Sequence, residues 1–238
     1  MAEEPLNDAE KAKSVQRQAR PEDLIVKTGG SGAGNPALKP PQQTHDESKI
    51  VEVREEHFFK GMAAVVEGSY AESVSHFTKA IELGKTDSEI YFRRGSARQK
   101  SGDDDGAIKD YKEAIRLGDP NGAANNAIGS VYGDTGEFKA ALEHFNKAVE
   151  ADSENPVFRM NRANAFMSLG MEKEAMKEYG EAERLDPDNM EVYYNRAIAR
   201  QQAGDIKGAV ADLEKYVELN PLDKETKENL EILRKYSG

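Results

Sequence analysis

The sequence predicts an all-α protein in which five helix-turn-helix units stack in a row. The first observation is a glycine that recurs every 34 residues without insertion or deletion, at Gly68, Gly102, Gly136, Gly170 and Gly204. The second is that small and aromatic residues recur at fixed distances from each of these glycines. A constant period of this length is typical of stacked supersecondary units, because a plain helical bundle has no reason to keep five identical spacings.

The first 45 residues are predicted to form a disordered tail. Residues 1–45 hold none of the 17 aromatic residues but five of the nine prolines, and four glycines cluster between Gly29 and Gly34. A segment without bulky apolar side chains cannot bury enough surface to offset its ordering entropy. The glycine cluster is interpreted as a linker and not as a phosphate loop, because Asn35-Pro36 stands where that loop needs the start of a helix.

The remaining residues, 46–238, are predicted to form one repeat domain. Its five repeats span residues 54–87, 88–121, 122–155, 156–189 and 190–223. The periodic glycine is the fifteenth residue of each repeat and separates two apolar-periodic segments, so it permits a tight turn between two helices. The first helix is expected to begin near Asp46, because Ile50, Val51 and Val53 extend the apolar pattern upstream of the first repeat.

Recurring small and aromatic residues predict how the two helices of a repeat pack. The eighth residue is always small: Gly61, Gly95, Gly129, Ala163 and Ala197. The twenty-fourth residue is aromatic in four repeats and leucine in the fifth: Phe77, Tyr111, Phe145, Tyr179 and Leu213. Small residues let the helices approach closely, and the large side chain fills the space beside them, so each repeat needs its neighbours to complete a core.

Residues 224–236 follow the fifth repeat and are predicted to form a capping helix. Leu230, Leu233 and Tyr236 are expected to make one apolar stripe, while charged side chains such as Lys227 and Glu231 face water.

A charge pattern predicts ion pairs between the two helices of a repeat. In an antiparallel pair that turns at the fifteenth residue, the seventh and twenty-third residues lie opposite each other. Repeats one and three have neither an arginine at the seventh position nor an acid at the twenty-third. Repeats two, four and five have both: Arg94 and Asp110, Arg162 and Glu178, Arg196 and Asp212. Three interhelical ion pairs are expected, which fix geometry more than they add net stability; the alternative is chance placement on solvated faces.

These recurring residues resemble the tetratricopeptide repeat family. The resemblance rests on the small eighth residue, the aromatic twenty-fourth residue, the alanines near them and prolines such as Pro187 and Pro221 at the joints, and it covers residues 54–223. The sequence departs from the family in having no tryptophan at the fourth position. The resemblance implies a right-handed superhelical solenoid whose concave face is lined by the first helix of each pair, and it implies binding of peptides from partner proteins.

Composition argues against several other classes of function. The chain has 44 Asp and Glu against 33 Lys and Arg, a formal net charge of −11 and no cysteine. The acidic balance argues against a nucleic-acid partner, and no apolar run approaches the roughly 18 residues of a membrane span, so membrane insertion is not expected. Without cysteine there are no disulfides or thiolate metal sites. The first 20 residues are acidic and lack the apolar core of a secretory signal, so the expected compartment is a reducing one, the cytoplasm or the nucleus.

No arrangement of reactive side chains predicts an enzyme, a cofactor site or a metal site. His76 and His144 occupy equivalent places two repeats apart, too far to share a metal at about 10 Å per helix layer. Asp103-Asp104-Asp105 falls at a turn, and a calcium loop there would need further acidic ligands, so a helix cap with solvated carboxylates explains it better. We therefore predict no catalytic residue, no cofactor and no metal ligand.

The predicted function is that of a non-catalytic scaffold or adaptor, which binds a peptide segment of a partner protein in its concave groove. An assembly or regulatory subunit of a larger complex is the alternative, and self-association of the array is also left open. Family members that bind acidic chaperone tails use a carboxylate clamp with lysine at the fifth position. The absence of lysine at that position argues against a chaperone-tail-binding protein. The five residues found there are Phe58, Phe92, Asn126, Met160 and Tyr194.

The expected peptide-binding residues lie on the concave face that the resemblance implies. They are Phe58, Met62, Phe92, Arg93, Asn126, Ser130, Met160, Asn161, Asn164, Tyr194, Asn195 and Ile198. Asn161 and Asn164 share one helix face, and carboxamides suit the backbone of an extended peptide. The methionines and tyrosine nearby suit apolar side chains, so the expected ligand is neutral or apolar. For Phe58, Phe92 and Met160, ordinary core packing is the equal alternative.

Overall fold

The computed structural model describes residues 44–119 and 122–236, and the regular structure in these two ranges is entirely helical. The eleven helices found there are α1 Thr44–Val66, α2 Tyr70–Glu82, α3 Ser88–Lys100, α4 Asp104–Arg116, α5 Ala123–Asp134, α6 Phe138–Ala151, α7 Pro156–Ser168, α8 Glu172–Leu185, α9 Met190–Gln202, α10 Ile206–Leu219 and α11 Lys224–Tyr236. Within these ranges, none of the helices combines the length and apolarity that a bilayer crossing requires. The predicted disordered tail lies outside the described residues, except that Thr44 and His45 already belong to α1.

The first ten helices form five pairs, as predicted: α1 with α2, α3 with α4, α5 with α6, α7 with α8 and α9 with α10. The turns within the pairs contain the five periodic glycines, whose φ angles lie between 73° and 86°. Only glycine adopts this left-handed conformation without strain, so the sequence period marks the turns directly.

Several helices begin at a side chain that caps the free backbone N–H groups of the first turn. Asp103 accepts a hydrogen bond from the backbone N–H of Gly106 at 3.0 Å, and Asp87, Asn155 and Asp205 cap α3, α7 and α10 in the same way. The predicted capping role of the Asp103 turn is therefore confirmed, since the carboxylate binds the start of its own helix.

The two helices of a pair meet where the eighth residue faces the large twenty-fourth residue. A β-carbon added at Gly129 would lie 2.7 Å from the ring of Phe145, and one added at Gly61 would lie 2.7 Å from Phe77. Phe77 is fully buried and Phe145 is 5% exposed. The missing side chain of the glycine is thus the space that the ring occupies, as the recurring pattern predicted.

The pairs stack so that the second helix of each repeat packs on the first helix of the next. First helices also contact one another across neighbouring repeats, α3 with α5, α5 with α7 and α7 with α9. These four helices therefore make one continuous surface, which we call the first-helix face. It consists of the sides of α3, α5, α7 and α9 that point away from the second helices.

The predicted interhelical ion pairs are confirmed in repeats two, four and five. The closest nitrogen–oxygen distance is 2.7 Å in each pair, Arg94 with Asp110, Arg162 with Glu178 and Arg196 with Asp212. Each acid also contacts a second arginine, at distances between 2.8 and 3.3 Å: Arg98, Arg159 and Arg200. Every one of these carboxylates is nearly buried and lies between two guanidinium groups, which satisfies its acceptor oxygens.

The seventh-position arginines also reach back to the preceding repeat. Their Nη1 groups donate to Thr78 at 3.2 Å, to Asn146 at 3.3 Å and to Glu183 at 2.5 Å, each on the second helix of the repeat before. In repeat three the same position is Ile128, which is fully buried and whose apolar side chain can make no such bond. We call the arginine and the two groups it joins an arginine bridge.

Helix α11 caps the array through Leu230 and Leu233, which pack with Ala197 and Leu213. The prediction that Tyr236 continues this stripe is wrong, since its side chain is 74% exposed. Residues three apart on a helix rotate by about −60° at each step, so Tyr236 lies about 120° around the helix from Leu230.

Candidate functional site

Two adjoining clefts open on the first-helix face over repeats three to five. Their volumes are about 210 Å³ and about 300 Å³. Both are lined by Phe138, Asn164 and Ser168, so they form one groove, which we call the repeat 3–5 groove. Of the twelve residues predicted to bind a ligand, five line it: Ser130, Asn161, Asn164, Asn195 and Ile198.

Two asparagines join neighbouring repeats beside this groove. The side-chain Nδ2 of Asn161 donates to Oδ1 of Asn126 at 2.9 Å, from α7 to α5. No described residue donates to Oδ1 of Asn161 or accepts from Nδ2 of Asn126, and both side chains are half-buried. One amide acceptor and one amide donor are therefore held in fixed positions and remain free to bind another molecule.

Asn164 is held by a buried tyrosine. The Tyr179 hydroxyl donates a hydrogen bond to Oδ1 of Asn164, and burial raises the pKa of Tyr179, which keeps the hydroxyl protonated. This bond occupies Oδ1 of Asn164, and no described residue accepts a hydrogen bond from its Nδ2 group. One repeat further on, Nδ2 of Asn195 contacts the sulfur of Met160 at 3.4 Å, so its Oδ1 is free of protein partners among the described residues.

The groove carries little charge for so acidic a protein. Among the described residues that line it, Asp134 is the one that is charged at neutral pH. The other lining side chains are amides, hydroxyls, small residues and apolar groups such as Phe138, Met167 and Ile198. The arrangement can hydrogen-bond a neutral backbone and cover apolar side chains, but it offers nothing that would neutralise an acidic ligand.

Apart from Asn126, which bonds Asn161 beside the groove, the structure places the other predicted residues away from it. Phe58 is 8% exposed and packs against the Phe77 ring, and Met160 is 9% exposed within the core, so both are corrected to core residues. Each of these two side chains packs in the core with the large second-helix residue of its own repeat, Phe58 with Phe77 and Met160 with Tyr179.

Four further predicted residues are near the surface but do not line either cleft. The Phe92 ring lies 5.5 Å from that of Tyr111, and Met62 packs on the core of the first repeat. Arg93 forms an ion pair on its own helix, and Tyr194, which is 39% exposed, packs against a tyrosine of the neighbouring helix α10. Each of these side chains is therefore engaged within its own repeat.

Sequence reasoning missed several lining residues, chief among them Gly133, Phe138 and Gln202. Gly133 is helical and a β-carbon added there would meet nothing within 4 Å, so its small size opens the first cleft. The signal was present, since the twelfth position holds a larger side chain in every other repeat. Phe138 comes from a second helix, which no argument restricted to first helices could find.

The histidines are the side chains most suited to a metal ion. Among residues 44–119 and 122–236, no group of three or more His, Asp or Glu side chains is placed to hold one. His144 hydrogen-bonds Asn125 at 3.0 Å, and His76 faces His57 with 2.9 Å between their Nδ1 atoms. His76 and His144 therefore have different partners, in agreement with their separation along the array.

Solved structures share this fold at low sequence identity. YrrB, described as a TPR protein with an unusual peptide-binding site, is 18% identical, and the match covers 79% of this chain and 97% of YrrB with a TM-score of 0.58. MamA from Desulfovibrio magneticus RS-1 is 18% identical over 72% of this chain and 97% of MamA, with a TM-score of 0.62. A thermophilic TPR protein of Thermus thermophilus is 16% identical over 76% of this chain and 98% of its own, with a TM-score of 0.64.

Family models match the repeats themselves. A tetratricopeptide repeat model matches residues 88–117, 123–155 and 191–221, and a second TPR repeat model matches residues 163–204. A search of curated proteins gave no match. Because repeats two to five match these models and the array adopts the fold of solved TPR proteins, the chain belongs to the tetratricopeptide repeat family.

Proposed function

We propose that the protein is a non-catalytic scaffold that binds a neutral, extended segment of a partner protein in the repeat 3–5 groove. Its fold serves protein–protein interaction, and YrrB, which has a similar fold, is described as having a peptide-binding site. The observation that carries the proposal is a row of positioned amides, Asn161, Asn164 and Asn195 in the groove and Asn126 beside it, each with hydrogen-bonding capacity that the described residues leave unused.

Peptide backbone is the natural partner for such a row. An extended chain presents N–H and C=O groups on alternate sides, and a carboxamide both donates and accepts. Asn161 and Asn195 occupy equivalent positions one repeat apart, so their free Oδ1 atoms can accept from two N–H groups of the same segment. Phe138, Met167 and Ile198 lie in the same groove and can cover apolar side chains of that segment.

Charge also selects the ligand. The array is acidic overall, yet Asp134 is the one charged residue among those described in the groove lining. A strongly acidic segment would be repelled by the array, and a strongly basic one would bind the charged outer surfaces as readily as the groove. A neutral segment is favoured in the groove itself, and its affinity should change little with salt.

Filling the first cleft should abolish peptide binding without unfolding the array. Peptides would be selected on the wild-type protein from a random displayed library, and their affinities measured by titration calorimetry. Gly133→Gln places a side chain in the cleft, where an added β-carbon meets no atom within 4 Å. The matched control is Gly180→Gln, which is also a helical glycine with open space around it but lies on α8, outside the groove.

We expect Gly133→Gln to lose binding and Gly180→Gln to keep it, with both variants folded by circular dichroism. Equal affinity in the two variants would mean that the peptide binds elsewhere on the array. If a partner protein binds the array and none of the selected peptides displaces it, the function as an assembly subunit would be favoured instead.

Removing two of the amides should weaken binding of the same peptides. Asn161→Ala together with Asn195→Ala deletes two acceptors, each worth about 0.5–1.5 kcal/mol, so the Kd should rise roughly fivefold to a hundredfold. Thermal unfolding should change little, because neither side chain is in the core. Replacing Asn229 on the exposed side of α11 by alanine is the control and should leave Kd unchanged. An unaltered Kd in the double variant would contradict a role for the amides.

A further inference from the structure

The first repeat contains two imidazoles that face each other across its helix pair. His57 on α1 and His76 on α2 approach with 2.9 Å between their Nδ1 atoms, and their ring centroids lie 5.2 Å apart at 39°. Both side chains are half-buried. The Nδ1–H of one ring donates a hydrogen bond to Nδ1 of the other, so at least one nitrogen lone pair points into the space between the helices.

The other repeats place different residues at the positions of this pair. The same fourth and twenty-third positions hold Tyr91 and Asp110 in repeat two and Asn125 and His144 in repeat three. The Asn125–His144 pair makes a hydrogen bond of 3.0 Å at the place where repeat one has two histidines. Repeats one and three thus share an interhelical polar contact, but in repeat one it is made of two metal-binding groups.

We propose that His57 and His76 form a two-histidine site for a divalent transition metal, with Zn²⁺ as the ion that suits it. Zinc–imidazole bonds of about 2.0–2.1 Å in a tetrahedral site separate two nitrogens by roughly 3.3 Å, so the rings need to move apart by only about 0.4 Å. The metal takes the place of the shared proton, which moves to Nε2 of the ring that held it. Each imidazole then stays neutral and binds through Nδ1.

Groups around the two histidines can orient the His76 imidazole and leave space for water molecules on the metal. A carboxylate oxygen of Glu72 lies 3.6 Å from Nε2 of His76, an arrangement that can fix the tautomer and raise the basicity of a metal-binding imidazole. A cavity of about 410 Å³ adjoins both rings and is also lined by Ser75 and Glu82, which leaves space for water to complete the coordination.

Most charged groups near the pair are balanced. Glu56 pairs with Lys60 at 2.6 Å on α1, and Lys79 pairs with Glu82 at 3.0 Å on α2. Among the described residues no lysine offsets the carboxylate of Glu72, so the local field favours a cation beside His76. Because no group of three or more ligating side chains is placed to hold one ion among the described residues, the two histidines bind the metal with open positions for water or a partner's side chain.

Zinc titration of the full chain, followed by NMR of the imidazole C–H signals, tests the site directly. The chain has only four histidines, so the spectrum has four sets of signals. We expect the signals of His57 and His76 to shift together and to saturate at one equivalent of Zn²⁺, while those of His45 and His144 stay unchanged. Surface carboxylates that bind zinc weakly would move none of these signals selectively, and that result would count against the site.

The chain itself provides the variant that keeps the fold. His57→Asn reproduces the Asn–His pair of repeat three, so the helices should still pair, as circular dichroism would show, but the saturable zinc shift should be lost. His144→Asn is the matched control and should bind zinc as the wild type does. Glu72→Gln should weaken zinc binding about tenfold, as loss of an orienting carboxylate does.

The proposal is overturned if one equivalent of zinc leaves the His57 and His76 signals unmoved, or if folded His57→Asn binds zinc as tightly as the wild type.

Discussion

Asp212→Ala will lower the free energy of unfolding of the array by about 3–5 kcal/mol, the usual cost of removing one partner from a buried ion pair. The Asp212 side chain is 4% exposed and lies between Arg196 and Arg200, with contacts of 2.7 and 2.8 Å. Burial alone would lower the pKa of Arg196, but its bonds to Asp212 and Glu183 raise it, so the guanidinium stays charged. Without Asp212, the nearly buried Arg196 keeps only Glu183 as an acidic partner and is left facing the charged Arg200.

Urea unfolding followed by circular dichroism measures this loss. Glu218→Ala on the same helix is the control, since Glu218 is 70% exposed and pairs with Lys215 on the surface, and its removal should cost less than about 0.5 kcal/mol. Arg196→Ala should be milder than Asp212→Ala, because Asp212 would keep Arg200. The double variant Arg196→Met with Asp212→Leu should lose less than the sum of the single changes. Additive losses would contradict the coupling of these groups.

Two glycines one turn apart on α5 will respond oppositely to alanine. Gly129→Ala will destabilise the array by about 1–3 kcal/mol, because the new β-carbon would lie 2.7 Å from the Phe145 ring, which is itself buried and cannot move freely. Gly133→Ala will stabilise it by about 0.5–1 kcal/mol, because alanine is the better helix former and nothing lies within 4 Å of its β-carbon.

The fifth repeat shows how the first of these changes can be repaired. It has Ala197 at the glycine position and Leu213 where the aromatic ring would be, and both are buried. Gly129→Ala combined with Phe145→Leu copies that arrangement and should recover part of the lost stability in thermal unfolding. If Gly129→Ala alone is neutral, the close approach of α5 and α6 is not set by the missing side chain.

The helices, turns and ion pairs of this protein could be predicted because each is fixed by contacts that repeat. A glycine at the turn and an arginine opposite an acid recur with the period, so one repeat supports the interpretation of the next. The exposure of Tyr236 and the back-reaching bond of Arg94 to Thr78 were missed, because they depend on the rotation of one helix against another. Sequence spacing fixes the rotation of a helix about its axis only to within one residue position, which is about 100°.

The groove could be predicted only in part for the same reason. Asn161, Asn164 and Asn195, which line the groove, were predicted because carboxamides on one helix face can donate and accept hydrogen bonds along a peptide backbone. Phe58 was misplaced because adjacent residues on a helix differ by about 100° in direction, which separates a core residue from a surface residue such as Phe59. Pattern alone assigns a side of the helix but does not distinguish two adjacent positions on it.

The arginine bridges imply that the array does not bend evenly along its length. A guanidinium held by bonds to two helices resists rotation of one repeat against the next, whereas an apolar contact allows sliding. Such bridges cross the junctions before repeats two, four and five, through Arg94, Arg162 and Arg196, but the junction before repeat three has Ile128 instead. Rotation of one repeat against the next should therefore be largest at the junction between repeats two and three. Repeats three to five should move as one rigid body that contains the whole groove.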